Sequence, residues 1–211
     1  MNAAESNEFR LTLQQKADDY GVAVSNQTLD VLTAYYEFLS SWNSRLHLVA
    51  PTSPQEFATR HVLESLLLLK HLPTNSSIAD IGSGGGLPII PNLIARSDIQ
   101  AVLIESSKKK GVFLREVLNH LGLSSRATVI AERFENVDAP NVDVITSRAL
   151  ERFERIVPKL VEWAPKRALF LFFGGPLLAA SLEKANLKFK AELIPNSKQR
   201  FLYVARLADP S

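Results

Sequence analysis

A chain of 211 residues with 24 Lys plus Arg, 22 Asp plus Glu and 46% apolar residues can build one sizeable core but is short for two enzyme domains. A charged fraction of 22% and a net charge of +2 exclude disordered and collagen-like chains. The absence of cysteine excludes disulfides, thiolate nucleophiles, iron–sulfur clusters and cysteine-ligated zinc. His47, His61, His71 and His120 share no HxxxH spacing, so no metal site is expected. No window reaches the ~18 to 20 apolar residues of a bilayer span. The N-terminus lacks the basic flank and apolar stretch of a secretory signal. A cytoplasmic protein with no membrane partner is the expectation.

Charge is unevenly distributed. Residues 1–75 hold five Lys/Arg against eight Asp/Glu, and residues 76–211 hold nineteen against fourteen. The lean of the larger part toward positive charge suits an anionic partner without proving one.

The first third reads as helical. Phe9, Leu11, Leu13, Ala17 and Tyr20 outline a helix ending at Gly21, and Leu29, Leu32, Tyr36, Leu39 and Leu46 a longer one entered from Ser25 or Asn26. Ser53-Pro54-Gln55-Glu56 reads as a capping box with proline at the first helical position. It opens a third helix with Phe57, His61, Leu63, Leu66, Leu67 and Leu69 as core candidates. Pro73-Thr74-Asn75-Ser76-Ser77 breaks the pattern. The reading is a helical extension over 1–75 and a second unit over 76–211.

Beyond the break, short apolar runs alternate with amphipathic stretches. Strands are predicted at 77–81, 101–105, 127–131, 142–146, 168–173, 189–194 and 201–207, and helices at 88–95, 108–121, 151–163 and 176–186. The alternation predicts an α/β fold whose mainly parallel seven-stranded sheet is covered on both faces, because each parallel return needs a crossover. The last two strands are joined only by Pro195-Asn196-Ser197-Lys198 and predict an antiparallel hairpin at one edge.

The most informative residues are Asp80-Ile81-Gly82-Ser83-Gly84-Gly85-Gly86-Leu87-Pro88, a strand end running through glycines into a helix. Glycine permits positive φ and close backbone approach to a ligand, and the helix start offers free N–H groups. A P-loop needs a Gly-Lys-Ser/Thr, and no lysine lies between Lys70 and Lys108. A dinucleotide GxGxxG started at Gly82 or Gly84 needs its third glycine at Leu87 or Ile89. What remains resembles the acid-x-Gly-x-Gly-x-Gly motif of class I S-adenosylmethionine-dependent methyltransferases. Glu105, 25 positions after Asp80, sits where that class carries an acid for the ribose hydroxyls.

Further segments narrow the resemblance. Trp42-Asn43, Arg60-His61-Val62-Leu63-Glu64-Ser65, Asp80 to Pro91, Lys108 to Val117, Arg133-Phe134-Glu135 and Ser147-Arg148-Ala149 stand in the order and spacing of the RsmG/GidB family. The chain resembles these 16S ribosomal RNA guanine-N7 methyltransferases from about residue 10 to 207. The resemblance implies a Rossmann-like seven-stranded sheet with its last strand antiparallel, S-adenosyl-L-methionine as cofactor, and 16S rRNA or a small-subunit precursor as partner, with the protein acting as a monomer. It also implies that Asp80, Gly82, Gly84, Gly86 and Leu87 wrap the methionine part, Glu105 the ribose, and Phe134 with Glu135 the adenine. Arg148 would lie at the cofactor and substrate cleft and share the catalytic role with Arg200. Lys108, Lys109, Lys110 and Arg133 would meet the RNA, with Arg115 in the same run. For His61 the reading is a packing residue on an apolar helix face.

Guanine N7 carries an in-plane lone pair and needs no deprotonation, so the chemistry implied is positioning without a general base. Three departures bear on it. The family has Asn and Thr in the segment matching Leu46-His47-Leu48-Val49, Lys-Gly where this chain has Phe173-Gly174, and Asp at Glu64. These leave two rival readings open: a non-catalytic module that binds cofactor or RNA, and a methyltransferase with another small-molecule or RNA target.

Overall fold

The computed structural model describes residues 2–148 and 153–208. Helix α1 (Ala3–Lys16) starts at Asn2, whose side chain accepts from the Ala4 N–H while Glu5 closes a capping box. Helix α2 (Asn26–Leu46) starts at Ser25, whose hydroxyl accepts from Thr28, and ends at His47 in the left-handed region (φ 48°), a conformation that His tolerates better than most residues. The third helical segment, α3 (54–70), opens on the expected Ser53 cap with Pro54 in its first turn.

Segment α3 departs from regular geometry. After Pro54–Glu56 it widens to π turns over Phe57–Leu63, tightens again over Glu64–Leu66 and ends in a 3₁₀ turn at Leu67–Lys70. The Glu64 N–H therefore reaches back to Thr59 O. Each wide turn adds a residue and rotates all later side chains around the axis. Of the core positions that a regular period predicts, His61 and Leu69 are only half-buried, whereas Val62, Leu68, Glu64 and Ser65 are buried.

The sheet strands are β1 (Ser77–Ile81), β2 (Gln100–Ile104), β3 (Ala127–Ile130), β4 (Val144–Ser147), β5 (Leu169–Gly174), β6 (Leu187–Leu193) and β7 (Phe201–Leu207). They lie in the order β3-β2-β1-β4-β5-β7-β6. The first five are parallel, and β7 runs antiparallel to both β5 and β6. Crossover helices are α4 (Ile89–Ala95), α5 (Lys108–His120), α6 (Phe153–Trp163) and α7 (Leu177–Lys184). The sequence prediction of a helix over 151–163 has its first two residues, and the Ser-Arg-Ala segment its Ala149, outside the described residues.

Period-two alternation divides the core between the two faces. On β5, Leu169, Leu171 and Phe173 join a cluster with Phe9, Leu13, Leu32, Tyr35, Phe57 and Leu63 of the helical extension. Phe170 and Phe172 face the other way, onto Val157, Leu160 and Leu182. The helices of residues 1–75 thus form one layer of a continuous core with the sheet. Order reverses at β1 and β4, and in such sheets the crevice at the strand C-termini there is where ligands bind.

Candidate functional site

At the C-terminal end of β1 the chain turns through three glycines with positive φ: Gly82 (73°), Gly84 (53°) and Gly86 (87°). Gly86 shows why the position demands glycine. A Cβ there would stand 2.2 Å from Ile90 Cδ1, and the Gly86 carbonyl accepts from the Ile90 N–H at 2.8 Å as α4 begins. The turn is tied to its neighbours by Gly82 N–H to Ile104 O (2.8 Å) and by Ser147 Oγ to Ile81 O (2.8 Å).

Asp80 is fully buried, and neither carboxylate oxygen has a hydrogen-bond partner among the described residues. Burial, with Glu105 nearby, pushes its carboxyl up to about 8. Glu105 stands just past the end of β2. Its two oxygens accept from Gly84 N–H at 2.9 Å and from Ser107 N–H at 2.8 Å. The Ser106 hydroxyl also donates to Oε1, at 3.5 Å, so it is Oε2 that retains lone-pair capacity for one more donor.

Beside this acid lies a cleft of about 180 Å³ bordered by Gly82, Ile104, Ser106, Arg133, Phe134 and Glu135. Phe134 is buried against Trp163, ring centroids 5.6 Å apart, while Glu135 is exposed and faces Lys159 at 3.5 Å. These features fit S-adenosylmethionine: a buried carboxylate lacking a donor, an acid with spare acceptor capacity, an open glycine turn and an apolar slot. Asp80 and the glycine turn would hold the methionine part, Glu105 the ribose hydroxyls, and the slot over Phe134 the adenine. Leu87 is buried and packs into the main core.

Two strands away, at the ends of β4 and β5, a second cavity of about 160 Å³ is bordered by Glu64, Arg148, Phe173, Gly174 and Arg200. Glu64 is buried and its carboxylate bridges both arginines, Oε2 to Arg148 Nη2 at 3.1 Å and Oε1 to Arg200 Nη2 at 2.7 Å. Burial pushes the Glu64 carboxyl above its ordinary value, and the two guanidiniums oppose it. Arg148 also donates to His61 O and Ser65 Oγ, both at 3.1 Å, and to Arg60 O. Its guanidinium lies 5.5 Å from the ring centre of Phe173, within cation–π range. Burial and these cations hold His61 down at about 3, so it stays neutral and is no proton carrier at physiological pH.

The basic run begins α5, capped by Ser107. Lys108 and Lys109 are exposed and Lys110 half-buried. Arg133 is exposed at the mouth of the cofactor cleft. Sequence reasoning misses the support beneath the loop: Tyr35 of α2 donates its hydroxyl to Gly85 O at 2.7 Å, and Asn43 exchanges two hydrogen bonds with the Val49 backbone. A tyrosine at helical spacing signals only core, whereas Asn43 belongs to the Trp42-Asn43 pair that marks the family, and that pair was the available signal.

A glycine turn and a strand-end acid at the switch point of a seven-stranded sheet with an antiparallel last strand define a class I methyltransferase. Solved structures agree on the fold: a SAM-dependent methyltransferase from Aquifex aeolicus (TM-score 0.57, 17% identity, 72% of this chain and 93% of that one) and the mitomycin 7-O-methyltransferase MmcR (TM-score 0.62, 14% identity, 96% and 67%). Residues 28–203 match the GidB family, rRNA small subunit methyltransferase G, and the chain belongs to that family. Relatives named ribosomal RNA small subunit methyltransferase G are 34% identical over 194 residues in Nitrosomonas eutropha, covering 87% of this chain and 90% of that protein. In Gluconobacter oxydans the identity is 36% over 167 residues, covering 77% and 83%.

Proposed function

We propose that this protein transfers a methyl group from S-adenosylmethionine to N7 of a guanine in 16S rRNA, free or in a small-subunit precursor, acting as a monomer. A cytoplasmic location goes with that substrate. The observation that carries the reading is that a cleft beside the glycine turn and a cavity bordered by Arg148 and Arg200 open at the same ends of the neighbouring strands β1, β4 and β5.

Bound S-adenosylmethionine supplies an electrophilic methyl carbon on a sulfonium. The chain has to hold the base in line with that carbon and offset the positive charge that arrives on the purine. No proton leaves N7 before attack, so no general base is needed, and His61, held down at about 3, is a weak one. Lys108, Lys109, Lys110 and Arg133 present cations to the RNA backbone beside the cofactor cleft. Three lysines in the first turn of α5 oppose the positive end of the helix dipole, a cost that a bound phosphate offsets.

The test is to incubate the protein and labelled cofactor with small-subunit RNA and map N7-methylguanine by mass. One methylated guanine is expected. Glu105→Ala should retain the fold and weaken S-adenosylhomocysteine binding by ~1 to 3 kcal/mol through lost hydrogen bonds. Methylation of a small molecule in place of RNA overturns the substrate, and undiminished binding by the Glu105 variant overturns the cofactor assignment.

A further inference from the structure

Two arginines border the second cavity, and their surroundings differ. A guanidinium has five N–H donors. Arg148 spends four of them inside the protein, on His61 O, Ser65 Oγ, Arg60 O and Glu64. All four acceptors are groups of the widened segment of α3 or the turn after it, so Arg148 ties the helical layer to the end of β4. Arg200 spends one, on Glu64 Oε1. Its side chain is 38% exposed, and its Nε lies buried with no partner among the described residues. The Arg200 main chain is itself fixed, its N–H donating to Ser197 Oγ at 2.9 Å and its carbonyl accepting from Ile194 at 2.9 Å.

The structure assigns Glu64 as the positioning residue that aims Arg200 at an oxygen acceptor of the RNA substrate, and assigns Arg148 to the scaffold that holds Glu64. This rests on the RNA-methylating function proposed for the protein. A carboxylate that is 2% exposed anchors Nη2 of the Arg200 fork and leaves Nη1 for a ligand. The longer glutamate, where the family has aspartate, spans the two guanidiniums with one oxygen each. Arg200 donates either to a phosphate or to the carbonyl oxygen of the base; both acceptors present the same chemistry.

A double-mutant cycle tests the assignment. Wild type, Glu64→Gln, Arg200→Ala and the double variant are compared for RNA KM and kcat at several salt concentrations, with S-adenosylhomocysteine affinity and melting temperature recorded alongside. Arg200→Ala should lower kcat/KM for RNA about tenfold and leave the S-adenosylhomocysteine affinity unchanged. Glu64→Gln should reproduce most of that loss in the wild type and add nothing in the Arg200→Ala background. A merely structural Glu64 would cost the same in both backgrounds, and that result overturns the assignment. An Arg200→Ala variant with unchanged kcat/KM overturns it as well, and this arm stands alone if Glu64→Gln fails to fold. A salt slope lowered by about one unit in Arg200→Ala identifies a phosphate, and an unchanged slope with reduced kcat identifies the base oxygen; either supports the proposal. A wild type inactive on RNA overturns the function itself and this inference with it, whereas an active wild type indifferent to Arg200 overturns the inference alone.

Discussion

The Tyr35 hydroxyl donates to the carbonyl of Gly85 at 2.7 Å, so the second helix of the extension holds the glycine turn from below. The contact is dry: Tyr35 is fully buried, and burial keeps its phenol protonated well above the ordinary range. The neighbouring Leu39 and Leu48 close on the same glycine, standing 3.2 and 3.5 Å from where a Cβ would lie. The helical layer therefore supports the glycine turn directly, through a hydrogen bond as well as through packing.

Replacing Tyr35 by Phe leaves the ring in place and strands the Gly85 carbonyl in an apolar setting. The expected cost is ~1 to 3 kcal/mol for the unsatisfied buried group. It should show as a lower melting temperature together with weaker S-adenosylhomocysteine binding. A lower melting temperature with unaltered ligand affinity would mean that the loop does not depend on this bond.

Asp80 gives a pH dependence of defined sign. Its carboxyl titrates at about 8 in the folded, ligand-free chain and near 3.9 when unfolded. Between those values the native state holds a proton that the unfolded state has lost, so stability falls as pH rises from about 4 to 8. A cationic ligand beside Asp80 favours the ionised form. Binding of S-adenosylmethionine at pH 7 should then release a proton and tighten as pH goes from 6 to 8. Calorimetry in buffers of different ionisation enthalpy measures the release. Asp80→Asn should abolish it, and equal release from that variant would move the proton to another group.

Replacing Lys108, Lys109 and Lys110 together with Ala should weaken RNA binding and flatten the dependence of log affinity on log salt by roughly one unit per lost phosphate contact. The variant should fold well, since two of the three side chains are exposed and the Ser107 cap is retained. A wild-type salt slope in the triple variant would turn this face of α5 toward solvent and away from RNA.

The fold is legible in the sequence where local rules and burial agree. The apolar pattern places β1 and β7 at their true limits and the other strands within two residues of theirs, because short apolar runs bounded by turn residues are what a doubly covered sheet demands. The glycine turn and its acid are also found where the sequence puts them: Gly82, Gly84 and Gly86 take positive φ at the end of β1, and Glu105 closes on Gly84 one crossover later. The α3 segment is not. Its capping box and apolar positions suit a regular helix, and nothing in Phe57–Leu63 announces wide turns. Glu64 directly follows those turns and is buried, so a carboxylate that the sequence marks only as a departure from the family becomes the junction of two arginines. Nor does sequence distinguish Arg148 from Arg200. Their difference lies in which carbonyls the folded chain presents to each.

The resemblance read from the sequence implies a lysine at Phe173, and the surroundings of the ring decide what a lysine would do here. The ring is 4% exposed and underlies the Arg148 guanidinium. Two cations, Arg148 and Arg200, already share the single Glu64 carboxylate. An ammonium brought in by Phe173→Lys adds a third positive charge, loses the cation–π contact and opens a gap under Arg148. Unpaired buried charge and lost aromatic packing each cost about 3 to 5 kcal/mol. The variant is therefore expected to melt lower and to methylate RNA more slowly than wild type, because Arg148 and Arg200 already supply the cations in this cavity. Should Phe173→Lys alone raise both the melting temperature and the yield of N7-methylguanine, the lysine would be filling a vacancy, and the arginine pair could not be its replacement.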